Sequence, residues 1–294
     1  MNWAALIDMG KSILLTGADG FTGQHFSQAA SERGYLVYPL TSDLVKADDI
    51  AGELSGKAFD YVVHLAAISA VTHADELALY QVNLFGTLNL LQVLASQTPP
   101  PEKILITSSA NIYGNASESP ISELAAPAPI NHYAMSKLAM EFMLEKFQAK
   151  LPLVTVRPFN YTGVGQDDRF VIPKLVNHFT ARKAWVELGN VSVEREFNDV
   201  RTVCDTYLEL LVYGETHEVY NVCSGTTYSL TQVVKILSGL AGHDLELRIN
   251  PDFVRENEVH RLRGNPAKLE ACLGALKHRT LDDTLQWMLS SRSK

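Results

Sequence analysis

Three glycines spaced three apart, Gly17, Gly20 and Gly23, constrain this chain more than any other feature. They follow Ser12-Ile-Leu-Leu15, which reads as a buried strand, and a helical pattern begins directly after them. A strand that enters a helix through glycines leaves main-chain N–H groups free at the helix start, where the helix dipole also favours an anion. Gly17 suits the tight turn, Gly20 lets the backbone approach a pyrophosphate, and Gly23 lets helix pack on strand. The spacing is G-x-x-G-x-x-G rather than G-x-G-x-x-G, and glycine turns are common. The strand before and the helix after therefore carry the inference of a dinucleotide site.

Taken in order, Phe21 to Arg33 reads as a helix ending at Gly34, and Tyr35 to Leu40 as the next strand. An acidic residue about 20 positions past such glycines commonly binds the adenosine ribose. That place falls on Thr41 or Ser42, with Asp43 close behind. A small hydroxyl there does not repel a 2′-phosphate, which places NADP(H) ahead, while Asp43 keeps NAD(H) open. Asp48, Asp49 and Glu53 read as a solvated helix face. Tyr61 to Ala67 is a third strand running into small residues that leave room for a flat cofactor ring; its His64 reads as a hydrogen-bonded core histidine. Asp75 to Ser96 is a long helix with apolar coverage wider than one stripe, which suggests burial on two sides, a dimer interface being one candidate cover. Ile104 to Ser109 is a strand ending in hydroxyls, Asn131 to Ala149 a helix, and Leu153 to Val156 another strand. Strands alternating with helices imply a parallel sheet with right-handed crossovers. After about residue 160 the elements shorten: helices over 168–182, 202–213 and 229–240, an extended run over 185–200, strands over 219–223 and 245–249, and two closing helices near 266–272 and 281–290. Ser229-x-x-Gln232 is a capping box. The expected fold class is α/β: a doubly wound parallel-sheet Rossmann domain with a smaller mixed α/β C-terminal lobe.

A chain of 294 residues with 46% hydrophobic and 20% charged residues suits a globular enzyme able to bury a large core. The net charge of −8 argues against nucleic acid or an anionic membrane as the main partner, so an anionic ligand needs local cations. Cys204, Cys223 and Cys272 are odd in number and far apart, which suits reduced, buried thiols in the cytoplasm better than disulfides or a metal site. The N-terminus lacks the pattern of a secretion signal, and no apolar stretch is expected to reach the roughly 18 residues of a membrane span.

Tyr133-Ala-Met-Ser-Lys137 sets a phenol and an amine four apart on one helical face. A free tyrosine ionises near pH ~10, and an ammonium beside it, with the positive charge of an oxidised nicotinamide, stabilises the phenolate. Ser109, ending an adjacent strand, can hydrogen-bond the same substrate oxygen. Tyrosine and lysine at this spacing are often just a solvated pair; the upstream glycine turn and the hydroxyl-ended strand favour an acid–base centre.

Together with these, His64-Leu-Ala-Ala67, Tyr113-Gly114, Arg157-Pro-Phe-Asn160, Gly163-x-Gly165-Gln166 and Arg195-Glu-Phe-Asn-Asp199-Val resemble the extended short-chain dehydrogenase/reductases, most closely the members that act on nucleotide-diphosphate sugars. The resemblance covers nearly the whole chain. It implies a Rossmann domain over 1–160 with a returning segment near 199–223, a nucleotide-sugar lobe over 161–294, and a homodimer through two helices per subunit. It also implies Ser109, Tyr133 and Lys137 as catalytic residues. Gly17, Gly20, Phe21, Thr22, Gly23, Thr41, Asp43, Leu44, Leu65, Ala66 and Ala67 are the implied cofactor contacts, with Tyr133 and Lys137. Asn160, Lys174 and Arg195 match positions that hold a sugar diphosphate, and Arg255 and Glu258 match positions that contact the nucleotide of GDP-sugars.

Departures from the family pattern narrow the expected reaction. The 4,6-dehydratases carry an Asp-Glu pair where this chain has Ala110 and Asn111, which cannot eliminate water. The epimerase–reductases carry a cysteine and a histidine where it has Ala110 and Phe170, so 3,5-epimerisation is not expected. Hydride transfer at C4 remains. The stretches 156–166 and 219–225 look most like reductases of GDP-4-keto-6-deoxy-mannose, which implies NAD(P)H-dependent reduction to a GDP-6-deoxy sugar of the GDP-rhamnose type. The alternatives are an NAD-dependent 4-epimerase, which consumes no net cofactor, and a non-catalytic NADP(H)-sensing protein, which would not need Ser109, Tyr133 and Lys137 together.

Overall fold

The computed structural model describes residues 10–69, 75–254, 259–275 and 277–292. Strand β1 (Ser12–Thr16) turns into helix α1 (Phe21–Glu32), followed by β2 (Leu36–Leu40), α2 (Ala47–Leu54) and β3 (Tyr61–His64). Helix α3 (Glu76–Leu94) precedes β4 (Lys103–Thr107), α4 (His132–Leu144) and β5 (Leu153–Pro158). Short strands β6 (Tyr161–Thr162), β7 (Trp185–Leu188), β8 (Glu194–Arg195) and β9 (Asn198–Asp199) then surround α5 (Val171–Thr180). The rest comprises α6 (Val200–Tyr213), β10 (Val219–Val222), β11 (Tyr228–Ser229), α7 (Leu230–Ala241), β12 (Glu246–Ile249), β13 (Arg261–Leu262), α8 (Ala267–Leu273) and α9 (Leu281–Arg292).

Six strands form one sheet in the order β10-β5-β4-β3-β1-β2, and every pairing is parallel. Both faces of such a sheet are covered, so the central strands are apolar at consecutive positions. On β1, Ile13 and Leu15 pack with Phe26 of α1 and with Val203 and Tyr207 of α6, while Leu14 faces Ile50, Leu90 and Met140 of the opposite helical layer. A third core joins α5, α7 and α9 through Leu175, Phe179, Val233, Leu237, Leu285 and Met288. Each such side chain contributes about 1.5–3 kcal/mol on burial. Small pairings tie this part together: β11-β8-β13, β12-β7 and β6-β9.

Several expectations are corrected. The run expected to be extended over 185–200 breaks into three short strands, because its residues serve different sheets. Helix α6 starts two residues early, since Asp199 caps it by accepting from the Arg201 N–H. Strand β3 ends at His64 rather than Ala67. Cys204 and Cys223 are buried, but the Cys272 thiol is only partly covered and donates to the Tyr213 carbonyl at 3.4 Å. Helix α3, at 19 residues, is long and apolar enough to span a membrane by length and composition, contrary to the sequence reading. Here Leu90, Leu91 and Leu94 go into the core beside the sheet, and its surplus apolarity lies outside on Leu77 and Phe85.

His64 is a core histidine, 1% exposed. Its Nδ1 lies 2.7 Å from Thr16 Oγ1 and its Nε2 2.8 Å from Thr87 Oγ1. The Ala66 N–H donates to Thr16 Oγ1 and Thr87 Oγ1 donates to the Asn83 carbonyl, so one consistent chain of donors puts the proton on Nε2 of a neutral ring. Burial lowers the pKa of His64 to about 3, with Lys137 adding to the shift. Stability from the neutral ring is therefore present above the ordinary histidine range and declines as pH falls below it. His64→Leu strands two buried threonine hydroxyls and is expected to cost about 2–4 kcal/mol, read as a lower thermal midpoint with a flatter acid limb.

Candidate active site

The glycine turn builds an anion seat. Gly17 has φ +69°, and a Cβ on it would stand 2.8 Å from the Ala66 backbone at the end of β3. A Cβ on Gly23 would come within 2.0 Å of the Gly17 carbonyl, so helix α1 can approach β1 this closely only with glycine there. Gly20 is the N-cap residue and offers no side-chain cap, which leaves the first-turn amides of Phe21, Thr22 and Gly23 to an external acceptor. The residues fit a dinucleotide pyrophosphate. Phe21 stacks on Tyr161 with ring centres 6.1 Å apart, and Thr22 Oγ1 is 2.8 Å from the Tyr161 hydroxyl, which joins the turn to the segment after β5.

Helix α4 carries Tyr133 and Lys137. Asn131 caps it by accepting from the Ala134 N–H, and its first turns run past the ends of β4 and β5. Lys137 is 2% exposed and its Nζ donates to the Thr107 carbonyl at 2.8 Å, its one hydrogen bond among the described residues. Burial lowers its pKa to about 8, with the Glu141 carboxylate opposing the shift. Tyr133 is 8% exposed; burial raises its pKa, opposed by the nearby Ser109 side chain. The phenol is therefore protonated at neutral pH.

Ser109 is aligned by a residue that sequence reasoning used only for exclusion. The Asn111 amide N–H at 3.2 Å and Nδ2 at 3.1 Å both donate to Ser109 Oγ. A hydroxyl has two acceptor sites and one donor. With both acceptor sites taken, Ser109 must donate onward, which is the polarity needed to hold a developing oxyanion.

A second missed residue is Asn83. It lies in a π-helical turn, Gln81–Gly86, inside α3. Its Oδ1 accepts from Ile68 N at 2.9 Å, and its Nδ2 donates to the Ile68 carbonyl and to Ser136 Oγ, both at 3.1 Å. The loop after β3 is thus clasped to the turn of α4 between Tyr133 and Lys137. An asparagine interrupting an apolar helix beside Gly86 was the visible signal. Behind α4, Arg157 of β5 holds Glu141 with a bidentate pair at 3.0 and 2.6 Å, both ends nearly buried.

Other expected residues sit as follows. Leu44 is buried, and Asp43 Oδ1 accepts from Val45 N in a local turn. The Leu65 N–H donates to the Thr16 carbonyl, and Ala67 continues the same loop. Thr41 and Ser42 do not present open hydroxyls: both are engaged on Glu53, which is therefore not a freely solvated helix face as expected. Asn160 is exposed, its carbonyl taken by Asn198. The Lys174 ammonium donates to the Glu187 carbonyl at 2.8 Å and lies 5.2 Å from the centre of the Phe253 ring. Arg195 braces the carbonyls of Glu194, Val259 and His260. These three are not gathered around Tyr133 by hydrogen bonds, and Arg255 and Glu258 lie outside the described residues.

Residues 13–223 match the sequence profile of the NAD dependent epimerase/dehydratase family. The chain belongs to that family. It is 35% identical over 297 residues to the GDP-6-deoxy-D-mannose reductase of Pseudomonas aeruginosa, covering 96% of this chain and 97% of that protein. It is 34% identical over 267 residues to the GDP-6-deoxy-D-talose 4-dehydrogenase of Aggregatibacter actinomycetemcomitans, covering 89% and 91% respectively. Among solved structures, the RMD protein of Pseudomonas aeruginosa in complex with NADPH superposes with a TM-score of 0.89 at 33% identity, covering 96% of this chain and 99% of that one. The epimerase/dehydratase fold accounts for the parallel sheet and the glycine turn. Asn111→Ala is expected to lower kcat about 10-fold, the worth of roughly one positioning hydrogen bond, with KM changed far less; steady-state kinetics check it.

Proposed function

We propose that this enzyme uses NAD(P)H to reduce the C4 ketone of an NDP-4-keto-6-deoxy-hexose, GDP-4-keto-6-deoxy-mannose in particular, to a GDP-6-deoxy sugar of the rhamnose type without 3,5-epimerisation. One observation carries the reading: a buried, protonated Tyr133 whose phenol feels the Ser109 side chain stands on the same helix as a buried Lys137. Full-length likeness to two proteins named for GDP-6-deoxyhexoses supports the substrate class.

NAD(P)H supplies the hydride to C4. Tyr133 gives its proton to the oxygen that becomes the C4 hydroxyl, and Ser109 donates a hydrogen bond to the same oxygen. Lys137 holds the nicotinamide ribose and, while charged, keeps the phenol acidic enough to release its proton. Gly17, Gly20, Phe21, Thr22 and Gly23 would hold the pyrophosphate of the bound dinucleotide. Thr41, Asp43, Leu44, Leu65, Ala66 and Ala67 line the rest of the dinucleotide. Asn160, Lys174 and Arg195 hold the sugar diphosphate, with Arg255 and Glu258 on the nucleotide. Ala110 offers no acid or base, and Asn111 is spent on Ser109, which leaves no group there for dehydration.

The same reading divides the chain into a cofactor domain over 1–160, with a returning segment near 199–223, and a sugar-nucleotide lobe over 161–294. Outward apolar residues on α3 and α4, Leu77 at 73% exposed, Phe85 at 52% and Phe142 at 63%, support a homodimer through these two helices. The unpaired thiols of Cys204, Cys223 and Cys272 fit the cytoplasm.

Offering GDP- and dTDP-4-keto-6-deoxy sugars with NADPH or NADH tests the reading directly. Net oxidation of the reduced cofactor with the GDP sugar is expected, and none with either sugar overturns it. Tyr133→Phe is expected to lower turnover by roughly 10²–10⁴ while cofactor binding persists. The rate of reduction should hold at neutral pH and fall as pH rises through about 8, where Lys137 loses its charge in the unliganded enzyme; kcat/KM against pH reads this.

A further inference from the structure

The turn after β2 carries a polar construction that the catalytic chemistry does not use. Thr41 and Ser42 present two main-chain amides and two hydroxyls, and all four converge on the Glu53 carboxylate. Thr41 N lies 3.0 Å from Oε1 and 3.2 Å from Oε2, and Thr41 Oγ1 is 3.1 Å from Oε2. Ser42 N and Ser42 Oγ reach the same Oε2 at 2.7 and 2.5 Å. Successive amides reinforced by hydroxyls make an anion nest, and bonds to a charged acceptor are the stronger kind. Burial opposes ionisation of Glu53, but the hydrogen bonds from Ser42 and Thr41 outweigh it and hold the carboxyl below its ordinary range. Among the described residues no ion pair includes Glu53; nearby Lys46 lies 3.9 Å from Asp49 instead.

Strand β2 is the parallel neighbour of β1, and the glycine turn leaves from the same carboxyl edge. In such sheets the dinucleotide lies across that edge, and the turn after the second strand receives the adenosine ribose. In NAD-binding members of the fold an acid from that turn accepts from the ribose 2′-hydroxyl, whereas a 2′-phosphate needs donors and positive charge. Here Thr41 and Ser42 at the strand end supply hydroxyls and amides, Asp43 is engaged locally on the Val45 N–H, and a second acid arrives from helix α2. Building on the dinucleotide site proposed above, we infer that Glu53 is an internal competitor for the 2′-phosphate of NADP(H) and so sets how this enzyme discriminates NADP(H) from NAD(H). The phosphate and the carboxylate need the same four donors and carry the same sign of charge. NADP(H) therefore enters the nest only by displacing Glu53, while NAD(H) leaves Glu53 in place to accept from its 2′-hydroxyl.

The test is calorimetric binding of 2′,5′-ADP and of 5′-AMP to the wild-type protein, Glu53→Ala and Glu53→Gln, each checked for an unchanged thermal midpoint or refolded transition. Glu53→Gln keeps the shape and removes the charge, which guards against a misfolded alanine variant. Both variants should bind 2′,5′-ADP at least about 10-fold more tightly, while 5′-AMP, which loses the carboxylate that accepts from its 2′-hydroxyl, binds no more tightly than to the wild type. Adding Ser42→Ala to Glu53→Ala should cancel most of the gain. An unchanged or weaker 2′,5′-ADP affinity in both variants overturns the inference, as does a gain that survives Ser42→Ala. Failure of both nucleotides to bind even the wild-type protein overturns the dinucleotide site, and the inference falls with it.

Discussion

A buried ammonium on a strand carbonyl organises the centre of this molecule. Lys137 is nearly inaccessible, and its Nζ is held by the Thr107 carbonyl at the end of β4. Taking a lysine out of water costs several kcal/mol unless its donors are met, so α4 must sit where the Thr107 carbonyl can meet one. That requirement fixes the helix against the sheet. The Arg157–Glu141 pair locks its outer end to β5, and Asn83 locks its inner end through Ser136. Tyr133, one turn before Lys137, is then buried near Ser109. Electrostatic catalysis depends on this kind of preorganisation, because groups already held need no reorientation as charge develops.

Much of this was legible in the chain. The glycine turn, the alternation of strand and helix, the Tyr133–Lys137 pair and the hydrogen-bonded state of His64 are local or periodic signals, and the fold places each where its local chemistry requires. Residues whose meaning depends on distant partners were not legible. Glu53 looked like one more charge on a polar helix face, and nothing near it in the chain tells that its carboxylate folds back onto Thr41 and Ser42. Asn111 was visible as a missing acid but not as the donor that polarises Ser109. Apolar coverage around α3 was read as burial on two sides with a dimer interface as one of them, and Leu77 and Phe85 are the outer residues left exposed in the single chain. In the second half, strands of two residues leave too short a pattern for any period to show, and they form only because β8 finds partners on both β11 and β13.

The likenesses to other proteins and the geometry meet at one carbon. The two relatives named above are, by name, a reductase and a 4-dehydrogenase of GDP-6-deoxyhexoses, and mannose and talose differ only in configuration at C4. One arrangement of phenol, hydroxyl and ammonium can serve either configuration, since it acts on the oxygen and leaves the face of the ring to the sugar-binding contacts. On the proposed reading, selectivity between the two configurations then resides in the contacts to the sugar ring, while the proton-transfer centre stays common.

The central claim is that hydrogen is delivered directly to the sugar C4 while Tyr133 protonates the oxygen. Reduction with NAD(P)H carrying deuterium at the nicotinamide C4, followed by NMR of the product sugar, tests it most directly. The account predicts one deuterium at sugar C4 and none at C3 or C5. Product in which C4 carries no label, or substrate returned with its configuration changed and no cofactor consumed, would contradict it.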